Sequence, residues 1–194
     1  MALNRQDIAR SGLKLLNEAG LNGLTLRLIA ADLGVKAPAL YWHLKNKQEL
    51  LDEMATQMYR DSAADREPPA SLGEWEGVAH GARALRRMML AYRDGGKVFS
   101  GTYLADTSLV GPHPLRRSIE AGLDEDRASR ATFTVYCFVI GFTIEEQAVR
   151  PMPGELDQRY VGTPGQAVLG DADARFEDGL SMVLSGARQW LETE

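Results

Sequence analysis

The sequence feature that most constrains the fold is a long apolar segment whose spacing is helical rather than alternating. It follows Asp124, a residue type that caps helices, and predicts a helix over Glu125–Val149. Its apolar residues, among them Phe133, Phe138 and Phe142, cover more than the single face that a surface helix normally buries. We therefore expect one face to pack within its own domain and another against a second chain. No alternating strand pattern occurs elsewhere, so the sequence predicts an all-α fold.

The first fifty residues contain three short predicted helices. Asn4 is the N-cap of the first helix, which Gly20 ends, and Thr25 caps the second helix, which ends at Gly34. The third contains Pro38, which the first turn of a helix tolerates. Two short helices separated by a tight glycine turn are typical of a helix-turn-helix, whose second helix enters the DNA major groove. A generic three-helix bundle is the alternative interpretation.

The remaining three-quarters of the chain is also expected to be helical. A fourth helix is predicted from Asn46 to Arg60, and a last helix near Ala172–Leu191. The segment over residues 150–170 is rich in Pro and Gly and is predicted to be a mobile loop. The predicted domains are a three-helix head over residues 1–46 and a helical body over residues 47–194.

The charge of the chain is unevenly distributed. The formal net charge is -5, but residues 1–50 carry seven Lys/Arg against four Asp/Glu, a net of +3. A basic head on an acidic body is compatible with polyanion binding at the N-terminal end. No apolar run approaches the roughly 18 residues that a membrane helix needs, and no secretory signal is visible, so a cytoplasmic location is expected.

No cofactor, metal site or catalytic centre is expected. The single cysteine, Cys137, lies in the apolar run "TVYCFVIGF" and is predicted to be a buried core thiol. The three histidines, His43, His80 and His113, lack metal-ligand spacing with one another. The chain contains no nucleophile elbow, no HExxH motif and no phosphate-binding glycine loop, which argues against an enzyme.

The stretch "LTLRLIAADLGVKAPALYWHLKNKQELLD" resembles the DNA-binding head of the tetracycline-repressor (TetR) family of bacterial transcription regulators. The segments "YRDGGKV", "SGT" and "IGFTIEEQ" resemble parts of the body of the tetracycline-repressor subgroup. The resemblance implies an N-terminal three-helix head with a helix-turn-helix, and a C-terminal helical domain for ligand binding and dimerisation. It also implies a homodimer that reads a palindromic operator in double-stranded DNA, with its recognition helices in successive major grooves.

The resemblance further implies that the head contacts DNA through one basic and aromatic surface. Thr25 would hold a phosphate, Arg27 would reach a base edge such as that of guanine, and Pro38 would touch a thymine methyl group. Trp42 would pack between the recognition helix and its neighbours. The other expected phosphate contacts are Tyr41, His43 and Lys47. The alternative of a purely structural helical dimer would not explain why these basic and aromatic residues share one surface.

The recognition helix also departs from the family pattern. Ala37 and Ala39 stand where tetracycline repressors carry polar base-reading side chains, and Lys36 replaces an acid. Because alanine cannot form bidentate hydrogen bonds, base reading would shift to Arg27, Lys36 and methyl contacts. We therefore expect an operator that differs from the tetracycline operator, bound with a stronger dependence on salt.

The body lacks the polar groups with which tetracycline repressors hold their drug and its magnesium ion. By resemblance, Phe99 replaces a metal-binding imidazole, Gly81 an asparagine and Ala63 a histidine; Glu145 remains, either as a lone ligand or as an ordinary helix-face acid. Tetracycline–magnesium is therefore not expected, and a more apolar effector is. Candidate ligand-binding residues, each of which could equally be ordinary core, are Phe99, Thr102, Tyr103, Leu115, Thr132 and Tyr136.

The expected function is that of a ligand-responsive transcriptional repressor. An effector would move the helix from Asn46 to Arg60, so that the two recognition helices no longer match the half-site spacing. The helices Glu125–Val149 and Ala172–Leu191 of two chains would form a four-helix dimer interface. A DNA-binding activator or architectural protein without a small-molecule effector is the alternative.

Overall fold

The computed structural model describes residues 3–193, apart from the side chains of residues 168 and 169. Over that range the chain forms eleven α-helices, two 3-10 helices and no strand, which confirms the predicted all-α fold. The α-helices are α1 (Arg5–Gly23), α2 (Leu26–Asp32), α3 (Ala37–Leu40), α4 (Lys47–Asp61), α5 (Ala63–Arg66), α6 (Glu74–Leu90), α7 (Gly95–Phe99), α8 (Arg116–Glu120), α9 (Glu125–Val149), α10 (Pro164–Leu169) and α11 (Ala172–Glu192), and the 3-10 helices are Thr107–Leu109 and Gln158–Tyr160.

The predicted helix caps are present in the head. The Asn4 side chain accepts a hydrogen bond from the Asp7 N–H at 2.9 Å, and the Thr25 hydroxyl accepts one from the Leu28 N–H at 3.2 Å. Gly20 has a φ of 66°, which interrupts α1 before a last turn that ends at Gly23. Each cap satisfies a backbone N–H that the first turn of a helix leaves without a partner.

In the head, α1 packs against α4, the helix that leads into the body, while α2 packs against α1 and α3 against α2. Leu40 and Leu44 are completely buried and hold α3 and the following turn to the rest of the head. Gly34 forms the turn between α2 and α3 with a φ of 66°, a conformation that is costly for residues with a Cβ atom. The buried leucines therefore fix the positions of these two helices, which are too short to be stable on their own.

The body is organised around α6, α9 and α11. The long helix has the predicted bounds, and Asp124 caps it by accepting a hydrogen bond from the Arg127 N–H at 2.8 Å. The Phe138 ring lies 5.6 Å from the Phe176 ring, so that α9 and α11 share one aromatic core. Gly179 allows this approach, because a Cβ atom there would lie 2.6 Å from the Phe138 ring.

A buried ion pair joins the three long body helices. The Arg86 guanidinium donates to both carboxylate oxygens of Glu146, at 2.9 and 2.8 Å, and it lies 2.8 Å from an Asp173 oxygen. Burial opposes the positive charge, but the hydrogen bonds to the two carboxylates outweigh it and raise the pKa of Arg86. The same guanidinium lies 4.6 Å from the centre of the Phe176 ring, so one side chain contacts α6, α9 and α11 together.

Two expectations about the body were wrong. The segment over residues 150–170 is not a structureless loop, because it contains Gln158–Tyr160 and Pro164–Leu169. Pro164 occupies the first turn of α10, where the fixed φ of proline favours a helix start. Cys137 is exposed rather than buried, because it lies on the side of α9 that no other element of its own chain covers.

Cys137 belongs to an uncovered apolar strip that we name the α9–α11 face. It consists of Thr134, Cys137 and Gly141 on α9, and Met182, Gly186 and Trp190 on α11. Met182 is 68% exposed and Trp190 is 42% exposed, which is unusual for large apolar side chains. The sequence predicted a second apolar surface on α9, and the structure leaves that surface open to solvent in the single chain.

Among the described residues, no helix is long and apolar enough to span a bilayer.

Candidate DNA interface and ligand cleft

The predicted DNA-binding residues lie along the outer side of α2, α3 and the turn that follows. Arg27, Lys36, Pro38, Tyr41 and Lys47 are exposed there. The other predicted contacts are the exposed Thr25 and Trp42 and the half-buried Ala37, Ala39 and His43. Seven of the ten predicted residues are therefore exposed and three are half-buried.

The charges of this surface are available to a polyanion. Within residues 3–193, no carboxylate lies within 4.0 Å of the side-chain nitrogens of Arg27, Lys36 or Lys47. Lys47 instead makes a long contact of 3.4 Å with the Leu21 carbonyl oxygen. The Thr25 hydroxyl accepts its capping bond and retains a hydrogen that a phosphate oxygen could accept. The arrangement offers unneutralised cations and a hydroxyl at the recognition end of the molecule.

The expected packing role of Trp42 was wrong. Its side chain is 90% exposed, while Leu40 and Leu44 fill the space between α3 and the head core. The reason is the length of α3, which ends at Leu40 and leaves Trp42 in the turn beyond it. An exposed indole beside unpaired cations is typical of a contact surface rather than of a fold-stabilising position.

One cleft of the body has a volume of about 750 Å³, within the range of small-molecule sites. It lies between the end of α4, α5 and the start of α6 on one side and residues 109–117 on the other. Tyr59 and Arg66 form part of one wall. The carbon at the centre of the Arg66 guanidinium lies 3.2 Å from the centre of the Tyr59 ring. Burial lowers the pKa of Arg66, although the guanidinium remains protonated.

A second cleft, of about 520 Å³, lies alongside the first, and His113 lines both. The Nδ1 atom of His113 accepts the Leu115 N–H at 3.0 Å, which leaves the hydrogen of the neutral ring on Nε2. That Nε2 atom lies 3.5 Å from the Thr132 hydroxyl. Tyr136 is also in this wall, and burial raises the pKa of its hydroxyl.

The six predicted ligand residues do not form one site. Thr132 and Tyr136 line the second cleft, whereas Leu115 is completely buried behind His113. Phe99 is buried and stacks on Tyr59 with the ring centres 6.1 Å apart. Of the other two, Thr102 bonds to the Phe99 carbonyl oxygen through its hydroxyl and Tyr103 is 68% exposed. The structure therefore supports only two of the six as lining residues.

Sequence reasoning missed the residues that form the larger cleft. Tyr59 and Arg66 lie on the consecutive helices α4 and α5, whereas His113 is distant along the chain and meets them only in the fold. The available signal is the pair of Pro- and Gly-rich stretches at 67–73 and 111–114, a composition that is typical of connections between helices. Their packing against each other makes the cleft.

Two sets of contacts connect this body to the head. Along α4, the Tyr103 N–H bonds to the Asp52 carboxylate at 3.1 Å, and the Ala105 N–H bonds to the Thr56 hydroxyl at 2.8 Å. At the end of α1, the Leu21 N–H bonds to the Asp94 carboxylate at 3.0 Å. The chain that leads into the cleft wall is thus hydrogen-bonded to the same helix that enters the head.

The residues present do not fit a drug-bound magnesium ion. Phe99, at the position of the metal-binding imidazole, offers only carbon atoms and is packed on Tyr59. Glu145 is exposed on the outer side of α9, away from the cleft lining. In the described part of the chain, no group of three or more His, Cys, Asp or Glu residues is placed to hold a metal ion.

Comparison with known proteins agrees with this arrangement. A tetracycline repressor protein of class A from transposon 1721 of Escherichia coli is 36% identical, over 95% of this chain and 90% of its own. The structure of a TetR variant from Acinetobacter baumannii AYE with minocycline matches with a TM-score of 0.80 at 29% identity, over 97% of this chain and 98% of the other. BioQ bound to its natural double-stranded DNA operator matches with a TM-score of 0.68 at 26% identity, over 96% and 98%.

Two family models match successive parts of the chain. Residues 8–54 match "Bacterial regulatory proteins, tetR family", and residues 67–170 match "Tetracyclin repressor-like, C-terminal domain". The first covers the helix-turn-helix and the second covers most of the body that contains both clefts. The resemblance seen in the sequence is confirmed, and the chain belongs to the tetR family of bacterial regulatory proteins.

Proposed function

We propose that the protein is a ligand-responsive repressor that binds a palindromic operator as a homodimer and is released when a small molecule occupies the body. The observation that carries this proposal is the position of α4. Its first turn follows the Asn46 cap directly after the recognition turn, and its Leu50 and Met54 are buried in the core that contains the head. Its last turns present Tyr59 to the large cleft. One rigid element therefore reaches both sites.

The head supplies the DNA-binding part of the proposal, and we place its boundary with the body at residues 46 and 47. Arg27 and Lys36 are exposed cations without a protein counter-ion, so they can bind a base edge or phosphates without breaking an existing pair. Ala37 and Ala39 expose little more than methyl groups. This composition supports an operator read by few hydrogen bonds and several apolar contacts.

The body supplies the ligand-responsive part. A cleft of about 750 Å³ against α4 favours an effector-bound regulator over an architectural protein, which has no need for one. An effector that binds the cleft more tightly in one orientation of α4 shifts the population toward that orientation. Because Phe99 and Glu145 do not form a metal site, tetracycline–magnesium is not the proposed effector.

The α9–α11 face supplies the dimer part. Its glycines, Gly141 and Gly186, have no heavy atom within 4 Å of the place where a Cβ atom would lie. A second copy of α9 and α11 could therefore approach closely at these positions and cover Met182 and Trp190. Two heads related by a two-fold axis match a palindromic operator.

The test is to select bound DNA from a random pool with the purified protein and to measure affinities by fluorescence anisotropy. We expect a palindrome, and we expect Arg27→Ala to weaken its binding by about 10- to 100-fold and to relax the preference at one base pair. Lys47→Ala, at an expected phosphate contact, should weaken all sequences alike and reduce the salt slope by about one unit. Arg87→Ala, an exposed arginine on α6, is the control. Selection that enriches no sequence would contradict the proposal.

A further inference from the structure

The large cleft contains an arginine that has no counter-ion. Within residues 3–193, no Asp or Glu carboxylate lies within 4.0 Å of the Arg66 guanidinium. Arg86 is paired with Glu146 and Arg93 with Glu155, whereas the half-buried Arg127 and Arg150 bond to carbonyl oxygens and lie outside the cleft. Taking a cation partly out of water without a paired charge costs free energy, so an unpaired guanidinium in a cleft wall is a position where an anion would be stabilising.

The donor groups of Arg66 are only partly used. Its Nε atom donates to the Ser62 hydroxyl at 3.1 Å, and one terminal nitrogen donates to the Tyr59 carbonyl oxygen at 2.7 Å. The other terminal nitrogen makes no hydrogen bond to a described residue. These two bonds and the Tyr59 ring hold the guanidinium plane in one orientation. A fixed planar fork with unused donors is suited to a carboxylate or a similar acid group.

The rest of the lining favours an anion over a cation. Two further arginines line the opposite side of the cleft: Arg116, 3.6 Å from a Glu120 oxygen, and Arg117, 3.9 Å from a Glu74 oxygen. Of its two carboxylates, Glu74 is occupied by the N–H groups of Arg117 and Ser118 and by the Ser118 hydroxyl, and Glu67 is exposed. The His113 Nε2–H adds a neutral donor between the two clefts.

The apolar part of the lining comes from rigid residues of the two loops. Pro68, Pro69 and Leu72 lie on one side, and Val110, Pro112 and Pro114 on the other. Such a surface suits a flat or ring-bearing body and offers it few hydrogen bonds. The cleft thus combines an apolar slot with one oriented cation.

We propose that the effector is an organic anion, an apolar ring-bearing molecule with one acidic group that the Arg66 guanidinium binds. This inference deepens the proposed function and rests on it, because it assigns a chemical class to the effector. The same contacts explain how an anion acts on α4. Arg66 is stacked on Tyr59, and Tyr59 is stacked on Phe99, so a ligand that draws Arg66 into the cleft changes the packing of the last turns of α4.

Two probes that differ only in charge test the inference on the full-length protein. They are 8-anilinonaphthalene-1-sulfonate, which carries a sulfonate, and N-phenyl-1-naphthylamine, the same ring system without it. Fluorescence titration should give the sulfonate the tighter binding, by about tenfold or more, since a hydrogen-bonded charge contributes about 1.5–3 kcal/mol. Arg66→Gln should remove this preference and leave the affinity of the neutral probe within about twofold.

Arg87→Gln is the matched control, because it removes the same charge from the exposed side of α6, outside the cleft. It should leave both affinities unchanged. The inference is overturned if the neutral probe binds as tightly as the sulfonate, or if Arg66→Gln and Arg87→Gln weaken the sulfonate equally. Should Arg66→Gln fail to fold, Arg66→Lys takes its place; it keeps the charge but loses the planar fork, and only the sulfonate should bind more weakly.

These titrations contain no DNA, so they separate the two proposals. If the protein selects no operator but binds the sulfonate more tightly through Arg66, the repressor proposal is wrong and the anion-site proposal stands. A protein that binds its operator but prefers the neutral probe would remain a repressor without this effector class.

Discussion

The indole ring of Trp42 is 90% exposed to water and contributes little to folding, whereas the side chain of Leu40 is completely buried. The two side chains are two residues apart and have opposite environments. Leu40 faces the head core, whereas Trp42 projects from the turn after α3. Their substitutions should therefore separate stability from DNA binding.

We expect Trp42→Ala to change the melting temperature by less than about 2 °C, since almost no surface is uncovered. It should weaken operator binding by about tenfold or more, because an exposed aromatic group at a contact surface loses its partner. Leu40→Ala should instead cost about 2–5 kcal/mol of unfolding free energy through the cavity that it leaves. Thermal melts and anisotropy titrations measure both. A large loss of stability in Trp42→Ala would show that the ring packs after all.

Single residues differ in how far their environment could be predicted from the sequence. The caps at Asn4, Thr25 and Asp124 were predictable, because each bonds to a backbone N–H only three residues away. Trp42 and Cys137 were not, because burial depends on elements that are distant along the chain. A run of apolar residues indicates that a helix has an apolar face, but it does not show whether another element covers that face.

At the scale of elements, the turn between α6 and α7 holds the end of α1 against the body. Asp94 lies in this turn with a φ of 54°, a left-handed conformation that Asp and Asn tolerate better than other residues with a Cβ atom. Its carboxylate accepts the Leu21 N–H at 3.0 Å and the Lys97 ammonium at 2.8 Å. Burial opposes the charged form, but these hydrogen bonds outweigh it, so the pKa of Asp94 lies below its ordinary value.

Two substitutions separate the backbone conformation of this turn from its charge. Asparagine also tolerates the left-handed conformation, and its side-chain oxygen can still accept the Leu21 N–H. Asp94→Asn should therefore lower the free energy of unfolding by less than about 1 kcal/mol. Asp94→Ala loses the acceptor and places alanine in a strained conformation, so it should cost about 2 kcal/mol or more. Urea unfolding of the three proteins at pH 7 measures the differences.

The same variants give a pH dependence with a defined sign. Because the folded pKa of Asp94 is lowered, its charge stabilises the fold fully above the ordinary carboxyl pKa of 3.8 and less as the pH falls through the lowered value. The stability difference between the wild type and Asp94→Asn should therefore shrink when the pH is lowered from 7 to 3. A difference that stays constant would mean that the carboxylate charge does not stabilise the turn.

Elements were predictable where the local pattern was strong. The bounds of α9 follow from its N-cap and from a long apolar run that contains no turn-forming sequence. The helix α10 was missed because Pro and Gly dominate the composition of its surroundings, and only Pro164 marks its start. The ion pair of Arg86 with Glu146 joins residues sixty positions apart, and no local spacing indicates such a contact.

At the scale of the whole molecule, the α9–α11 face is the surface at which we propose that two chains meet. Phe138 is a poor probe of this face, since it packs on Phe142 and Phe176 within its own chain. Met182 is a better one, because it is largely exposed and its loss leaves the protomer core intact. A charge at Met182 would have to be buried if a second copy covers the face.

Met182→Glu should therefore give a monomer that unfolds at nearly the wild-type temperature and binds a palindromic operator at least about tenfold more weakly. Ser181→Glu is the matched control, one residue away on the polar side of α11, and it should remain a dimer. Light scattering gives the mass, and anisotropy gives the affinity. A Met182→Glu protein that stays dimeric would move the interface elsewhere.

The order of the two parts was predictable from motifs along the chain, but the cleft was not. Its walls come from α4, α5, the 67–73 stretch and residues 109–117, and each segment alone is typical of a helix end or a connection. Arg66 illustrates the difficulty. In the sequence it is one of several arginines, and only the fold shows that it lacks a carboxylate and faces a cleft.

The length of α4 has a mechanical consequence. Its fifteen residues span about 22 Å at 1.5 Å per residue, from the Tyr59 end at the cleft to the Asn46 end beside the recognition turn. A tilt of about 5° at one end displaces the other by about 2 Å, several times the roughly 0.5 Å within which a binding geometry must be held. In the proposed mechanism, α4 would therefore act as a lever arm, and a rearrangement at the Tyr59 ring no larger than a side-chain rotation would be magnified at the DNA-binding head.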